Sequence, residues 1–426
     1  MHLVYRFSAA AIAATVMVSG FAAAQEKPFK IGLVTFLSGP AAGPFGVPAR
    51  NAAEVVVEQL NAGKVVAPYA TKGFGGAPIE MVIVDEAGGT TKQVTEYRNL
   101  VQRQEVDMVV GYISSGDCLA IAPVAEELKK LTVLFDCGTP RIFEDGTYHY
   151  TFRTRAHATM DNVSAALYLD EVKPGWKTYA GINQNYAWGQ DSWNDFEAAV
   201  KVLHPEAKLT TSQMPKFLAG QYGAEISALL DSSPDVVHTS LWGGDLEAFL
   251  IQAVPRDLFK KSTVVITPGE HIINDLGTQI PEGTIIGARG PHGVFAPDTE
   301  LNRWFRRIYM EKFKVAPNYA SYVVAQSLLG VKSAVEKARA ANGGKMPNQE
   351  QIIAGLEHLT WEGPSGKVEM ALAKGHQAIQ STAVGTIKHV NGKATVVNIK
   401  YYAAEKVNPP EGIKSMDWIK SGFKAK

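Results

Sequence analysis

Cysteine is scarce in this 426-residue chain, which has only Cys118 and Cys137. Two thiols cannot build a structural zinc site unaided, and no His pair stands at metal-ligand spacing near them. No metal and no cofactor is expected. In an oxidising compartment the two cysteines can bridge; otherwise they serve as small buried hydrophobes, and the sequence leaves both open. An excess of either charge is also missing: 42 Lys and Arg balance 42 Asp and Glu. That argues against nucleic acid or an anionic membrane surface as partner. Beyond the first two dozen residues, no stretch is apolar enough to span a bilayer. Nor is there a G-x-S-x-G elbow, an H-E-x-x-H pair, a P-loop or a C-x-x-C, which weakens the case for an enzyme.

What the chain does have begins at its first residues. Arg6 supplies a positive charge, and Phe7 to Ala24 is apolar except at Ser8, Thr15, Ser19 and Gly20. Ala22 and Ala24 place small residues at the −3 and −1 positions before Gln25. This is the pattern of a cleaved export signal, with cleavage after Ala24; the apolar run is short for a membrane anchor. No Cys follows to carry a lipid. Loss of Arg6 leaves the mature chain near −1. Its length suits two domains.

From Phe29 onward, short β-rich runs alternate with helical stretches. Strands are expected at 30–35, 79–85, 108–111 and 132–135, with helices at 49–61, 90–103 and 120–129 between them. After Phe152-Arg153-Thr154 the rhythm restarts, with strands at 177–182, 236–239 and 263–266 and helices at 161–169, 190–203, 221–230 and 246–253. Continuous apolar strands between amphipathic helices predict parallel sheets covered on both faces, in two lobes. Long helices follow at 299–313 and 319–338, a shorter one at 349–358, then a Gly-rich turn at 362–366 and β-like runs near 382–384 and 395–402. The tail from Val407 reads as polar and loosely held.

Ligands of open parallel sheets sit beyond the carboxyl ends of the strands, where helix N-termini suit anions. Five loops occupy such places. Gly111 to Asp117 carries Ser114, Ser115 and Gly116, able to bind a carboxylate through hydroxyls and backbone N–H; Ser as a plain helix cap is the rival reading. Phe135 to Arg141 carries Gly138 and Thr139, which could complete that anion site or form an ordinary turn. Asn183 to Gln190 carries Tyr186 and Trp188, which could cover a ligand, stack on a cation or pack the lobe. Leu241 to Asp245 and Thr267 to His271 carry Trp242 as an apolar wall and Glu270 as a match for an ammonium, unless Glu270 is a surface residue.

These loops, in this order, resemble those of the type I periplasmic solute-binding proteins, in the leucine/isoleucine/valine-binding branch. Ile31 to Pro40 looks like the family's first strand and loop. Val110-Gly111 to Ser115 resembles its ligand loop, Phe152-Arg153-Thr154 its crossing strand, and Tyr186 to Gln190 its Tyr-Gly loop. The resemblance covers nearly all of the mature chain. It implies an α/β fold of two Rossmann-like lobes with parallel sheets, joined by a three-stranded hinge. Residues 25–153 with 288–360 would form lobe one, 154–287 with 361–410 lobe two, and 411–426 a C-terminal tail.

The implied role is the solute-binding component of an ABC transporter. The protein would act in the periplasm as a monomer and deliver a small-molecule solute, an amino acid, to a membrane permease. By position, Ser114, Ser115 and Thr139 would hold the α-carboxylate, Glu270 the α-ammonium, and Trp188 and Trp242 the side chain. Three departures cloud the choice of an aliphatic amino acid: Ser115-Gly116-Asp117, Asp136-Cys137 where the family often has Ser-Pro, and two Trp in place of smaller aromatics. The rivals are the same build for an aromatic acid or an amide, an exported enzyme, and a sensory receptor domain.

Overall fold

Two sheets organise the chain, and the computed structural model describes residues 27–424 of it. The export signal expected at 1–24 lies outside the described residues. The strands are β1 (Phe29–Thr35), β2 (Ile79–Asp85), β3 (Met108–Gly111), β4 (Thr132–Leu134), β5 (Thr151–Arg153), β6 (Thr178–Ile182), β7 (Lys208–Gln213), β8 (Val236–Thr239), β9 (Thr263–Ile266), β10 (Ile285–Gly287), β11 (Thr360–Gly363), β12 (Gly366–Leu372), β13 (Gln377–Ile379), β14 (Thr382–Val390) and β15 (Lys393–Tyr402). The first sheet has the order β11-β12-β13-β5-β4-β3-β1-β2 and the second β15-β14-β10-β9-β8-β6-β7. β1 to β5 pair in parallel, as do β6 to β10. Antiparallel strands finish one edge of each sheet.

Every residue of β3, β4 and β8 is buried. Strands covered on both faces need helices on both sides, and the intervening sequence supplies them. Helix starts are fixed by caps. Ser114 Oγ accepts from Asp117 N, so that helix begins at Ser115 rather than near residue 120. Asn348 and Gln351 form a reciprocal capping box for the helix Gln349–Leu356. The largest apolar cluster runs across both lobes, taking in Phe45 and Tyr319 from one and Trp242 and Ile266 from the other.

The chain crosses between the sheets after β5, after β10 and between β13 and β14. The first crossing lies between Arg153 and Thr178, the second between Gly287 and Thr360. The third does not coincide with the expected boundary at 360/361. Residues 360–379 hydrogen-bond into the first sheet, through the pairing of Gln377 with Arg153, and the change of sheet comes only after Ile379. Alternation in a hairpin carries no label for its partner sheet, so the sequence offers no sign of this. β7 was not expected either: it is a polar, largely exposed edge strand without an apolar period.

The C-terminal residues depart most from expectation. Val407, Trp418 and Ile419 are buried, and the helix Ser415–Lys420 packs against the helix Ala187–Leu203. The same segment reaches lobe one, where Glu144 accepts from Ser415 N at 2.8 Å and Lys414 pairs with Asp145 at 2.8 Å. The tail is therefore held, by apolar side chains spaced too widely to stand out among its charges. Cys118 and Cys137 form a disulfide that ties the start of the helix Ser115–Glu127 to the loop after β4.

Trp418→Ala is expected to destabilise the protein by about 3–5 kcal/mol, the usual cost of deleting a buried Trp. Urea unfolding followed by circular dichroism checks this; a loss under about 1 kcal/mol would mean that the tail is a loose appendage.

Candidate functional site

The carboxyl ends of β1, β3 and β4 face those of β6, β8 and β9 across the gap between lobes. The loops there touch directly. Gly244 N donates to Pro40 O at 3.0 Å, and Thr139 Oγ1 donates to Asp191 Oδ2 at 2.5 Å. Arg141 pairs with the same Asp191. Trp242 packs on Phe45 (ring centroids 5.0 Å apart) and Phe36 (6.0 Å) of lobe one.

At the centre, four buried charges meet from four segments. Asp136 follows β4, Arg155 lies on the first crossing, Asp161 on the helix Ala158–Val172, and Arg289 on the second crossing. Asp136 Oδ1 lies 2.9 Å from Arg289 Nη1 and 3.2 Å from Arg155 Nη1. Asp161 Oδ2 lies 3.3 Å from Arg289 Nε and 3.6 Å from Arg155 Nη2. Burial pushes both carboxyls above the usual range, and the two guanidiniums push them back down. Two acids against two bases leave the cluster neutral, the condition under which buried charge is tolerated. Sequence reasoning missed Arg155, Asp161 and Arg289; the one available signal was Asp136 standing where the resembled family often has Ser.

Trp188 lies over this cluster, its ring 4.1 Å from the Arg289 guanidinium carbon, and its Nε1 donates to Ser240 O at 2.9 Å. It covers Gly138 so closely that a Cβ there would sit 2.2 Å from the Trp188 ring and 2.5 Å from Arg289 Nη2. Several expected ligand groups are engaged within the protein. Ser115 Oγ accepts from Gly138 N and Thr139 N at 3.1 and 3.2 Å. Glu270 accepts from Tyr319 N at 2.8 Å, at the start of the helix Tyr319–Ala341, and from Val294 N at 3.2 Å. Burial pushes the Glu270 carboxyl up to about 7 despite those bonds.

A cavity of about 330 Å³ remains between the lobes. Lobe one contributes Phe36 to Ala41, Glu86 to Thr90, Ser114, Gly116 and Asp117; lobe two contributes Tyr186, Phe217 and Leu218. Of the nine residues expected to bind ligand, Ser114, Gly116 and Tyr186 line it. Ser115, Gly138, Thr139, Trp188, Trp242 and Glu270 lie in the lobe contact beyond it. Tyr186 stacks on Phe217 (ring centroids 4.6 Å apart), and Trp242 Nε1 donates to its hydroxyl at 2.8 Å. Among the described residues, no Lys or Arg lines the cavity. Its charged groups are Glu86, which accepts from Ile113 N and Ser114 N, and Asp117, which accepts from Thr90 Oγ1 at 2.9 Å. Burial pushes Asp117 up to about 6, and burial with the nearby Asp117 charge pushes Glu86 well up. Among the described residues, no group of His, Cys, Asp and Glu could hold a metal ion, and no helix is long and apolar enough to cross a membrane.

Two outcomes follow from this geometry. Gly138→Ala should fold but keep the lobes apart, because the atoms nearest its methyl group belong to Trp188 and Arg289; small-angle scattering should show a larger radius of gyration than for the native protein. Stability should also fall as pH rises. Asp117 and Glu270 lose protons near 3.8 and 4.5 when unfolded but near 6 and 7 when folded. The folded state therefore holds more protons between these values, and its advantage is full below about pH 4 and lost by about pH 7. Urea unfolding at pH 5 and 7.5 should show the decline, and Glu270→Gln should make it shallower.

The chain matches the periplasmic binding proteins over residues 28–394. It is 26% identical over 401 residues to the Leu/Ile/Val-binding protein homolog 4 of Brucella abortus (strain 2308), covering 89% of this chain and 88% of that protein. Among solved structures, it resembles an ABC-transporter solute-binding protein of Rhodopseudomonas palustris BisB5 in complex with 3,4-dihydroxybenzoic acid. The TM-score is 0.75 and the identity 19%, over 89% of this chain and 98% of the other. It is equally similar to the closed leucine-, isoleucine-, valine-, threonine- and alanine-binding protein of Brucella ovis, with a TM-score of 0.75 and 20% identity over 91% and 98% of the two chains. With the family matched across both lobes, this chain belongs to the periplasmic binding proteins.

Proposed function

We propose that this chain is the solute-binding component of an ABC-type transport system. It captures a small solute between its lobes in the periplasm and presents it, as a monomer, to a membrane permease without chemical change. The observation that carries this reading is the cavity walled by both lobes. A ligand that touches Ser114 and Tyr186 at once favours the closed arrangement by its greater affinity for it. The loop contacts around Pro40, Thr139 and Asp191 supply the rest of the closed interface.

The solute favoured by the wall chemistry carries an amine, as an amino acid does. Asp117 lines the cavity with no basic side chain among the described residues there to neutralise it, and an ammonium would; Glu86, bonded to two backbone N–H groups, adds its negative charge from behind. The Ser114 hydroxyl, which accepts from Asp117 N and keeps its own proton to give, and the Gly116 region suit the carboxylate end. This moves the amine contact from Glu270, engaged with two backbone N–H groups, to Asp117. A second reading, an aromatic acid, draws on the Tyr186–Phe217 stack and on the dihydroxybenzoate bound by the R. palustris protein.

Titration calorimetry over amino acids, amines and aromatic acids separates these readings. For an amine-bearing solute, Asp117→Asn should weaken binding about ten- to a hundredfold, the worth of a charge-assisted hydrogen bond. Undiminished affinity for that solute would overturn the amino-acid reading. Tight binding of an aromatic acid that improves in Asp117→Asn would establish the second.

A further inference from the structure

Behind the lobe contact, on the side of the first crossing, lies another cavity, of about 200 Å³. Its walls come from the loop after β4, from β5 and the crossing that follows, from β12 and β13, and from residues 409–414. Arg153 and His157 line it, and both are almost wholly buried.

The polar atoms there are unevenly satisfied. Arg153 Nε donates to Gln377 Oε1 at 2.6 Å, and Nη1 donates to the Cys137 and Thr139 carbonyls at 2.9 and 2.6 Å. Arg153 Nη2 is buried with no acceptor, and so is His157 Nδ1 with no partner. Arg153 has no ion-pair partner among the described residues. Of the two acids in the wall, Glu144 accepts from Ser415 N and Oγ and Glu411 accepts from Lys374 N, while Lys414 is paired with Asp145. A buried guanidinium bonded only to neutral acceptors is costly, and Glu144 and Asp191 act on its charge without bonding to it. Burial, with Arg155 and Arg289 nearby, pushes against that charge. Burial, with Arg153 and Arg155, also holds the His157 imidazole neutral, leaving it one N–H to give.

Apart from these groups and Gln377, the wall is largely apolar, with Phe143, Leu372, Pro409, Pro410 and Ile413. One buried cation with an unbonded N–H and one neutral N–H donor, set against that apolar wall, match a planar anion with a short hydrocarbon body. We propose that this cavity is a second site, separate from the cleft, that binds a short-chain monocarboxylate through Arg153 and His157. Bound there, the carboxylate would join lobe one to the C-terminal segment that packs on lobe two.

Thermal unfolding of the full chain in sodium butyrate tests this, against butyramide and sodium chloride at matched ionic strength. Butyrate should raise Tm in proportion to the logarithm of its concentration above an affinity on the order of 1 mM, giving about 3 °C at 100 mM, and butyramide should not. Ile413→Trp, which fills the cavity, should abolish the shift; Tyr186→Ala, in the cleft, should keep it. Equal shifts with butyramide or chloride, or a shift lost in Tyr186→Ala and kept in Ile413→Trp, would overturn the proposal. If Ile413→Trp fails to fold, a crystal of the native protein grown in 100 mM butyrate decides: carboxylate density beside Arg153 Nη2 supports the site, and water alone rejects it.

Discussion

The arrangement of the two lobes depends on one neutral knot of charge. Asp136 belongs to lobe one, Asp161 to lobe two, and Arg155 and Arg289 to two of the segments that join them. None of the four is exposed enough for water to replace a partner. Buried ions tolerate little displacement, since removing one partner typically costs about 3–5 kcal/mol. The neighbours follow from this constraint. Trp188 can lie flat on Arg289 because the guanidinium is fixed, and Gly138 is bare because Trp188 needs its space.

Much of the fold was readable in the sequence because burial leaves a pattern. β2, β3, β8 and β9 fall on the expected residues, each rich in apolar β-branched side chains or Met. Helix starts were read several residues late at Ser115, Ala158, Ala187 and Gly243, where small or polar first turns hide the apolar period. The 360–379 strands were assigned to the wrong lobe because pairing across more than 200 residues is set by shape in three dimensions, not by local pattern.

The site was legible in position but less so in role. The strand-end rule pointed to loops from which Ser114, Gly116 and Tyr186 reach the cavity. It could not tell which polar groups the protein consumes itself. Ser115 stabilises the loop at Gly138, Thr139 is bonded to Asp191, and Glu270 closes a helix start. An Arg or Asp alone in a sequence carries no sign of being buried with a partner, so Arg155, Asp161 and Arg289 passed unnoticed. The two Trp change the cleft differently from what was expected: they lie in the contact between lobes rather than on the wall of the cavity.

The way the sheets are finished bears on the order of events in folding. The first sheet needs β11 to β13, the second needs β14 and β15, and the helix Ser415–Lys420 then covers part of lobe two. A ribosome makes the amino-terminal strands first, but neither lobe can complete its sheet until almost the whole chain exists. Domains often fold one by one as they emerge. Here the interleaved topology denies that route, and long-range pairing of this kind is slow. The last hydrogen bonds of both sheets therefore wait for the carboxyl-terminal strands.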